Sequence, residues 1–329
     1  MANIRDVSKL AGVSVATVSR VLNQNGYVHP DTEQKVLKAI NELNYIPNFV
    51  ARSLSNKKTK TIGLIVPDIT NPFFPELARA VEDVMKIYGY TVILCNSDED
   101  EEKEKHYFQI LKQKYIDGLI LATASMPISD MQAFDVPIVV IDRIVSQGIP
   151  TVVAKNKEGA RLATRLLLKQ GCKKVAHLRG PESVINARER CEGYVDVVRE
   201  KEWFHPNLII QGNYEIKKAF HETMKLLTEQ PDVDGIFAGN DLMAIGAMKA
   251  AQQLKIRIPD ELAIIGFDGI TLGEMIFPEL STVAQPIYDM GAIGARMLIK
   301  LIENSPVDKL YQQLDVQFIE RGTTRKVCD

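Results

Sequence analysis

Between its apolar segments the chain presents a recurring set of side chains able to grip a small polyhydroxylated molecule. They are Asp68 and Asn71-Pro72-Phe73-Phe74, Asp142-Arg143, Ala187-Arg188-Glu189-Arg190, Tyr214, Asn240-Asp241, Phe267-Asp268 and Gln285. Aromatic rings cover the carbon faces of a sugar, while amide, carboxylate and guanidinium groups take its hydroxyls in pairs. Singly, an Asp or Arg in such a place also serves as a helix cap or a loop anchor; repetition along the chain favours a pocket. A second set lies near the N-terminus. The segment VATVSRVLN turns Ala16, Thr17 and Arg20 outward with Ser14 and Ser19 beside them, small or hydroxyl groups that let a helix enter a DNA groove, plus one guanidinium for a base edge. A generic three-helix cap with a solvated face is the alternative.

Both sets need elements to position them. Ile4, Val7 and Leu10 repeat every three residues, Ala11-Gly12-Val13 interrupts, and Val15, Val18, Val21 and Leu22 resume the stripe, giving helix, tight turn, helix. Ser14 stands at the N-cap and Gly12 supplies the turn. Pro30 to Leu43 adds a third helix with Val36, Ile40 and Leu43 inward. Beyond Tyr45-Ile46-Pro47-Asn48, the stretch Phe49 to Leu54 forms a one-turn helix that is marginal alone and folds on contact. Leu54, beside basic residues, either wedges between base steps in a minor groove or packs on the body. From residue 61 apolar strands alternate with amphipathic helices in two series (TIGLIVP to PIVVID, then KEGARLATRLLLKQG to LAIIGFDG). Such alternation means two doubly wound parallel-sheet subdomains, with ligands at the carboxyl ends of the strands.

At 329 residues, 46% hydrophobic and 25% charged, the chain exceeds what one compact core usually carries. Residues 1–60 hold nine Lys and Arg against four Asp and Glu, a net +5, whereas the rest holds 31 against 38, a net −7. Polyanion contact is thereby confined to the head. No apolar run reaches about eighteen residues and the N-terminus lacks a signal-peptide core, so a cytoplasmic protein is expected, without a membrane. Cys95, Cys172, Cys191 and Cys328 are far apart, and the five histidines show no metal-ligand spacing. The acidic run Asp98 to Glu102 reads as the solvated start of a helix. No nucleophile elbow, phosphate loop or dinucleotide fingerprint follows a strand, so neither catalysis nor a metal or cofactor is expected.

The head resembles the LacI-type regulators, the family of the lactose and galactose repressors. The resemblance rests on the run Ile4-x-Asp6-Val7-x-x-x-Ala11-Gly12-Val13-Ser14-x-x-Thr17-Val18-Ser19-Arg20-Val21-Leu22-Asn23. It implies that Ser14, Thr17, Ser19, Asn23, Tyr45 and Asn48 hold phosphates and that Val15, Ala16 and Arg20 face base edges. It also implies that the hinge, with Ala51, Arg52 and Leu54, meets the minor groove, where Leu54 intercalates. The body resembles the type I periplasmic sugar-binding proteins, and NPFF, D-R, ARER-x-E-G, G-F-D-G and A-Q-P resemble the ribose-binding proteins loop by loop. Carried over by position, Asn71, Phe73, Phe74, Asp142, Arg143, Arg190, Tyr214, Asn240, Phe267, Asp268 and Gln285 would surround D-ribose. Tyr214 departs from the phenylalanine usual there, so its hydroxyl must find a partner.

The expected organisation is a helix-turn-helix DNA-binding domain over 1–46, a hinge helix and linker over 47–60, and an effector-binding and dimerisation domain over 61–329. The last is divided roughly into 61–160 plus 288–320 and 161–287 plus 321–329. The resemblance implies a non-enzymatic homodimeric repressor, released from palindromic operator DNA by its sugar. Another sugar or a phosphosugar is the alternative effector, although a phosphosugar would want more cations than Arg143 and Arg190; a non-regulatory sugar-binding protein whose head is an oligomerisation cap is the rival reading. Tyr288-Asp289-Met290-Gly291, with Arg296 and Met297, resembles the surface on which a related catabolite control protein receives a phosphorylated phosphocarrier protein. A dimer-interface helix shared by the family is the preferred alternative for that segment.

Overall fold

Helix α1 (Ile4–Ala11) begins where Asn3 and Asp6 satisfy each other's backbone: Asn3 Oδ1 accepts from the amides of Arg5 and Asp6, and Asp6 accepts from that of Asn3. It stops at Gly12, whose φ of +66° an L side chain resists. Ser14 Oγ then accepts from the Thr17 amide at 3.1 Å and opens α2 (Val15–Asn23). Pro30 and the capping His29 start α3 (Pro30–Glu42). The three helices bury Val7, Ala11, Val18, Val21, Val36 and Ala39. Leu10, expected inside, is 48% exposed. With 3.6 residues per turn the core-facing stripe runs from Val7 to Ala11, and a strict three-residue spacing drifts off it.

The computed structural model describes residues 2–23, 25–45, 59–123, 131, 134–143 and 148–326. The chain divides into two compact units, residues 1–59 and 60–329. In the second, one lobe holds β1 (Thr61–Val66), α4 (Phe73–Ile87), β2 (Thr91–Asn96), α5 (Glu101–Gln113), β3 (Gly118–Leu121), β4 (Ile138–Ile141) and β5 (Thr151–Ala154). The chain then crosses to the other lobe. There it forms α6 (Asn156–Lys169), β6 (Val175–Arg179), α7 (Ile185–Val198), β7 (Ile209–Gln211), α8 (Ile216–Glu229), β8 (Gly235–Ala238), α9 (Asp241–Gln253), β9 (Ala263–Asp268) and β10 (Thr282–Ala284). It returns for α10 (Ile287–Ile302) and β11 (Tyr311–Leu314) and crosses once more for β12 (Gln317–Ile319). The sheets run β11-β5-β4-β3-β1-β2 and β12-β10-β9-β8-β6-β7.

Helices α4 and α10 cover one face of the first sheet and α5 the other, while α8 with α9 and α6 with α7 cover the two faces of the second. Burial on both faces is why the strands read as unbroken Val/Ile/Leu runs. Two expectations are corrected. Residues 317–319, placed with the first subdomain, are the edge strand of the second sheet, and β12 runs antiparallel to β10. The opening of α6, also placed with the first, packs on α7. Strands β5, β10, β11 and β12 escaped the sequence reading because they are three or four residues long and, on the edge strands, half polar. No helix among the described residues is long and apolar enough to cross a membrane.

His177 on β6 is fully buried between the rings of Tyr194 and Phe237, with centroids at 5.2 and 4.8 Å. Its Nδ1 lies 2.9 Å from the Phe237 carbonyl, which can only accept, so Nδ1 carries the proton. Burial lowers the imidazole pKa to about 4. An unfolded histidine near 6.5 binds more protons than the folded one between those values, so its contribution is present above about pH 6.5 and lost as pH falls toward 4, up to about 3 kcal/mol. Urea denaturation of His177→Phe is expected to show a flatter loss of stability from pH 7 to 5 than the unsubstituted protein; equal slopes would contradict a buried neutral His177.

Candidate functional site

The carboxyl ends of the two sheets face each other across a cavity of about 270 Å³. That lies just below the range of ligand pockets, about 300 to 1,000 Å³, and suits a small ligand. The first lobe contributes Asn71, Phe73 and Phe74 after β1, Asp98 and Glu99 after β2, and Asp142 and Arg143 after β4. The second contributes Asn186 and Arg190 from α7, Asn213 and Tyr214 after β7, Asn240 after β8 and Asp268 at the end of β9. Six of the eleven non-glycine residues with positive φ among the described residues line this one cavity: Asp98, Glu99, Asp142, Asn213, Tyr214 and Asp268. Backbone strain of that kind persists where the surroundings enforce it and gathers at binding sites.

Arg190 is the hub of the second lobe. The guanidinium is 2% exposed; Nε donates to Asn156 Oδ1 at 2.8 Å, and Nη1 donates to the Gly239 carbonyl at 2.6 Å and to Asp268 Oδ1 at 3.1 Å. Its Cζ lies 3.9 Å from the centroid of the Phe267 ring. Asp268 also accepts from Gln285 Nε2 at 2.7 Å. Burial raises the Asp268 pKa, against the pull of Arg190, and the nearby Asp241 and Asp142 carboxylates raise it further. Asp241 fixes the loop that carries Asp268: Oδ2 accepts from the amides of Gly269 at 2.7 Å and Ile270 at 2.9 Å, and Oδ1 from the Thr282 hydroxyl at 2.6 Å. On the first lobe Arg143 pairs with Asp142 and approaches Glu99 at 3.5 Å. Phe73 and Phe74 meet edge to face at 5.0 Å.

Of the expected effector residues, Asn71, Phe73, Phe74, Asp142, Arg143, Arg190, Tyr214, Asn240 and Asp268 line the cavity. Phe267 and Gln285 do not. Phe267 is fully buried behind Arg190, and Gln285 stands behind Asp268, so both support the wall from outside it. The acidic run also divides. Asp100 caps α5 through the Lys103 amide at 3.0 Å, as a helix start should, but Asp98 and Glu99 turn toward the cavity. Pro67, Asp68, Pro181, Asn186, Asn213 and Glu215 complete the lining. Asn213 and Glu215 flank Tyr214 and were within reach of a reading that took whole strand-end loops. Asn186 adjoins the flagged run Ala187–Arg190, but its pairing with Asp142 and Tyr214 joins residues distant in the chain and gave no signal.

In the head, Ser14, Val15, Ala16 and Arg20 are exposed, Thr17 and Ser19 are half-buried, and Val18 between them is buried, so the residues expected to meet DNA are at least partly open to solvent. Tyr45 is half-buried against the head core. Asn23 ends α2, but its side chain, with Asn48, Ala51, Arg52 and Leu54, lies outside the described residues.

A helix-turn-helix head on a two-lobed body whose cleft is lined by paired polar groups and aromatics defines a ligand-responsive DNA-binding protein. Residues 3–48 match the family described as bacterial regulatory proteins, lacI family. Residues 59–320 match the periplasmic binding proteins and sugar binding domain of LacI family. The chain belongs to the LacI family, and is accordingly a transcriptional regulator rather than an enzyme. It is 54% identical over 325 residues to a protein named ribose operon repressor from Halalkalibacterium halodurans, covering 99% of this chain and 98% of that one. A protein of the same name from Bacillus subtilis is 40% identical over 326 residues, 99% of each chain. A solved structure of the lac repressor dimer bound to operator and the anti-inducer ONPF superposes with a TM-score of 0.88, at 28% identity and 99% coverage of both chains.

Gly180 has one evident reason to lack a side chain: a Cβ there would stand 2.4 Å from Cζ of Tyr214. Gly180→Ala is expected to push the Tyr214 ring out of its place and weaken effector binding about tenfold or more, a cost of about 1.4 kcal/mol, by calorimetric titration. Unchanged affinity would show that the ring is not part of the working wall.

Proposed function

We propose that this protein is a cytoplasmic, dimeric repressor of a ribose-utilisation operon, whose affinity for a palindromic operator falls when D-ribose occupies the cleft. The observation that carries the effector class is charge pairing inside a small cavity. Arg190 is committed to Asp268, and Arg143 to Asp142 and Glu99. The lining adds Asp68, Asp98 and Glu215. Among the described residues of the lining no cation is left over for a phosphate, so the site favours a neutral polyol over a phosphosugar. The names of the two relatives supply the choice of ribose.

In this reading residues 1–46 bind DNA, 47–60 form the hinge and 61–329 bind sugar and dimerise. Ser14, Thr17, Ser19, Asn23, Tyr45 and Asn48 take phosphates, and Val15, Ala16 and Arg20 read bases, with apolar contact to thymine methyls in place of further hydrogen bonds. Ala51 and Arg52 accompany Leu54 at the minor groove. Two heads related by a two-fold axis read the halves of a palindrome. Sugar binding shifts the lobes and the dimer interface and withdraws the Leu54 wedges, a coupling of about 1–3 kcal/mol in typical allosteric systems.

A second reading keeps the regulator and adds a phosphocarrier protein as corepressor. It is favoured by Tyr288, Asp289 and Arg296, all exposed on α10, with the Tyr288 hydroxyl 3.1 Å from Asp83 and Asp83 paired with Arg79.

Fluorescence anisotropy with a labelled family-type palindrome separates the parts. Arg190→Lys keeps the charge but loses the forked donor, and is expected to bind DNA as the unsubstituted protein does while no longer releasing it with D-ribose. Leu54→Ala is expected to lose about tenfold or more in operator affinity with ribose binding intact. Loss of both properties in either variant would contradict this division of labour.

A further inference from the structure

Asn186, the second residue of α7, joins the two lobes. Its Nδ2 donates across the cleft to Asp142 Oδ2 at 3.0 Å and to the Asp142 carbonyl oxygen at 3.3 Å. Its Oδ1 accepts from the Tyr214 hydroxyl at 3.3 Å. The hydroxyl that distinguishes Tyr214 from a phenylalanine thus has a partner inside the pocket wall. Asn186 and Tyr214 belong to the second lobe and Asp142 to the first, so a chain made entirely of protein groups spans the cleft.

The chemistry of each group fixes the direction of this chain. A neutral phenol donates, and burial pushes the Tyr214 hydroxyl up to about 12, so it stays protonated. Donation to Oδ1 leaves the Asn186 amide nitrogen turned toward Asp142, whose oxygens only accept. Asp142 Oδ2 then serves both Arg143 Nη1 and Asn186. Oδ1 of the same carboxylate is buried with no partner among the described residues. An unmatched buried carboxylate oxygen is costly unless something donates to it. Asp142 is held in this orientation with φ at +60°.

We propose, resting on the sugar-site reading above, that Asn186 is a positioning residue: it ties the lobes together across the cleft and occupies Asp142 Oδ2, so that Oδ1 is the oxygen offered to a ligand hydroxyl. The Tyr214 hydroxyl acts through Asn186, by holding the amide in the donating orientation, and not by touching the sugar.

A double-mutant cycle on the full-length protein tests this, with D-ribose titrated calorimetrically into the unsubstituted protein, Tyr214→Phe, Asn186→Ala and the double variant. Tyr214→Phe is expected to weaken ribose by about three- to tenfold alone and to change nothing once Asn186 is gone. The same loss in both backgrounds would place the hydroxyl on the sugar and overturn the proposal, as would an Asn186→Ala protein with unaltered affinity. A ligand-free readout stands beside it. Hydrogen exchange of the sugar-free protein is expected to quicken in Asn186→Ala at both facing loops, residues 142–143 after β4 and 212–215 after β7, while the head and the far helices stay as they were. Unchanged exchange in either loop would overturn the bridge. An unsubstituted protein that takes up no ribose would remove the ribose reading alone, because the exchange comparison needs no ligand and still decides for or against the bridge.

Discussion

A guanidinium buried to 2% exposure has to be surrounded by acceptors, and the second lobe is arranged around that requirement at Arg190. The acceptors come from three separate places: Asn156 at the start of α6, the Gly239 carbonyl after β8, and Asp268 at the end of β9. Phe267 closes the remaining face. Satisfying one side chain therefore sets the relative positions of strand ends that are otherwise joined only through the sheet. Asp268 is in turn steadied by Gln285, and its loop by Asp241 through the Gly269 and Ile270 amides. The wall of the pocket is a consequence of this network, since Asp268 and Arg190 can face the cavity only as a mutually neutralised pair.

The first lobe repeats the logic with Asp142 and Arg143, and the described residues consequently line the cavity between the lobes with polar groups and no uncommitted positive charge. Its donors and acceptors share a small volume with the rings of Phe73, Phe74 and Tyr214. A sugar, with apolar faces and a hydroxylated rim, answers both requirements. Strained backbone at Asp142, Asn213, Tyr214 and Asp268 aims these groups, and the sheets beneath hold that strain.

Much of this was legible in the sequence. Helix periodicity, Gly12 and Ser14 defined the head, and continuous apolar runs bounded by polar strand ends defined the lobes and most of the cavity wall. What stayed hidden shares a physical character. Phe267 follows its strand's alternation to the face behind Arg190, and a sequence position cannot distinguish a residue in the wall from one supporting it. Gln285 acts on Asp268, again from behind. Asp98 and Glu99 looked like helix-opening carboxylates, a role that falls to Asp100 after the chain has turned at their positive φ angles. Strand β12 joins the second sheet through antiparallel pairing that a run as short as Gln-Phe-Ile does not announce. Asn186 depends on Asp142 and Tyr214, residues brought together only by folding.

The central claim is that one ligand in the cleft and one DNA site on the head share a free energy. The most direct measurement is the calorimetric affinity of D-ribose for the full-length protein, alone and saturated with its palindromic operator. Linkage requires the sugar to bind more weakly to the DNA complex, by the same factor by which saturating ribose weakens operator binding. Equal ribose affinities with and without operator, in a protein that binds both, would contradict the account.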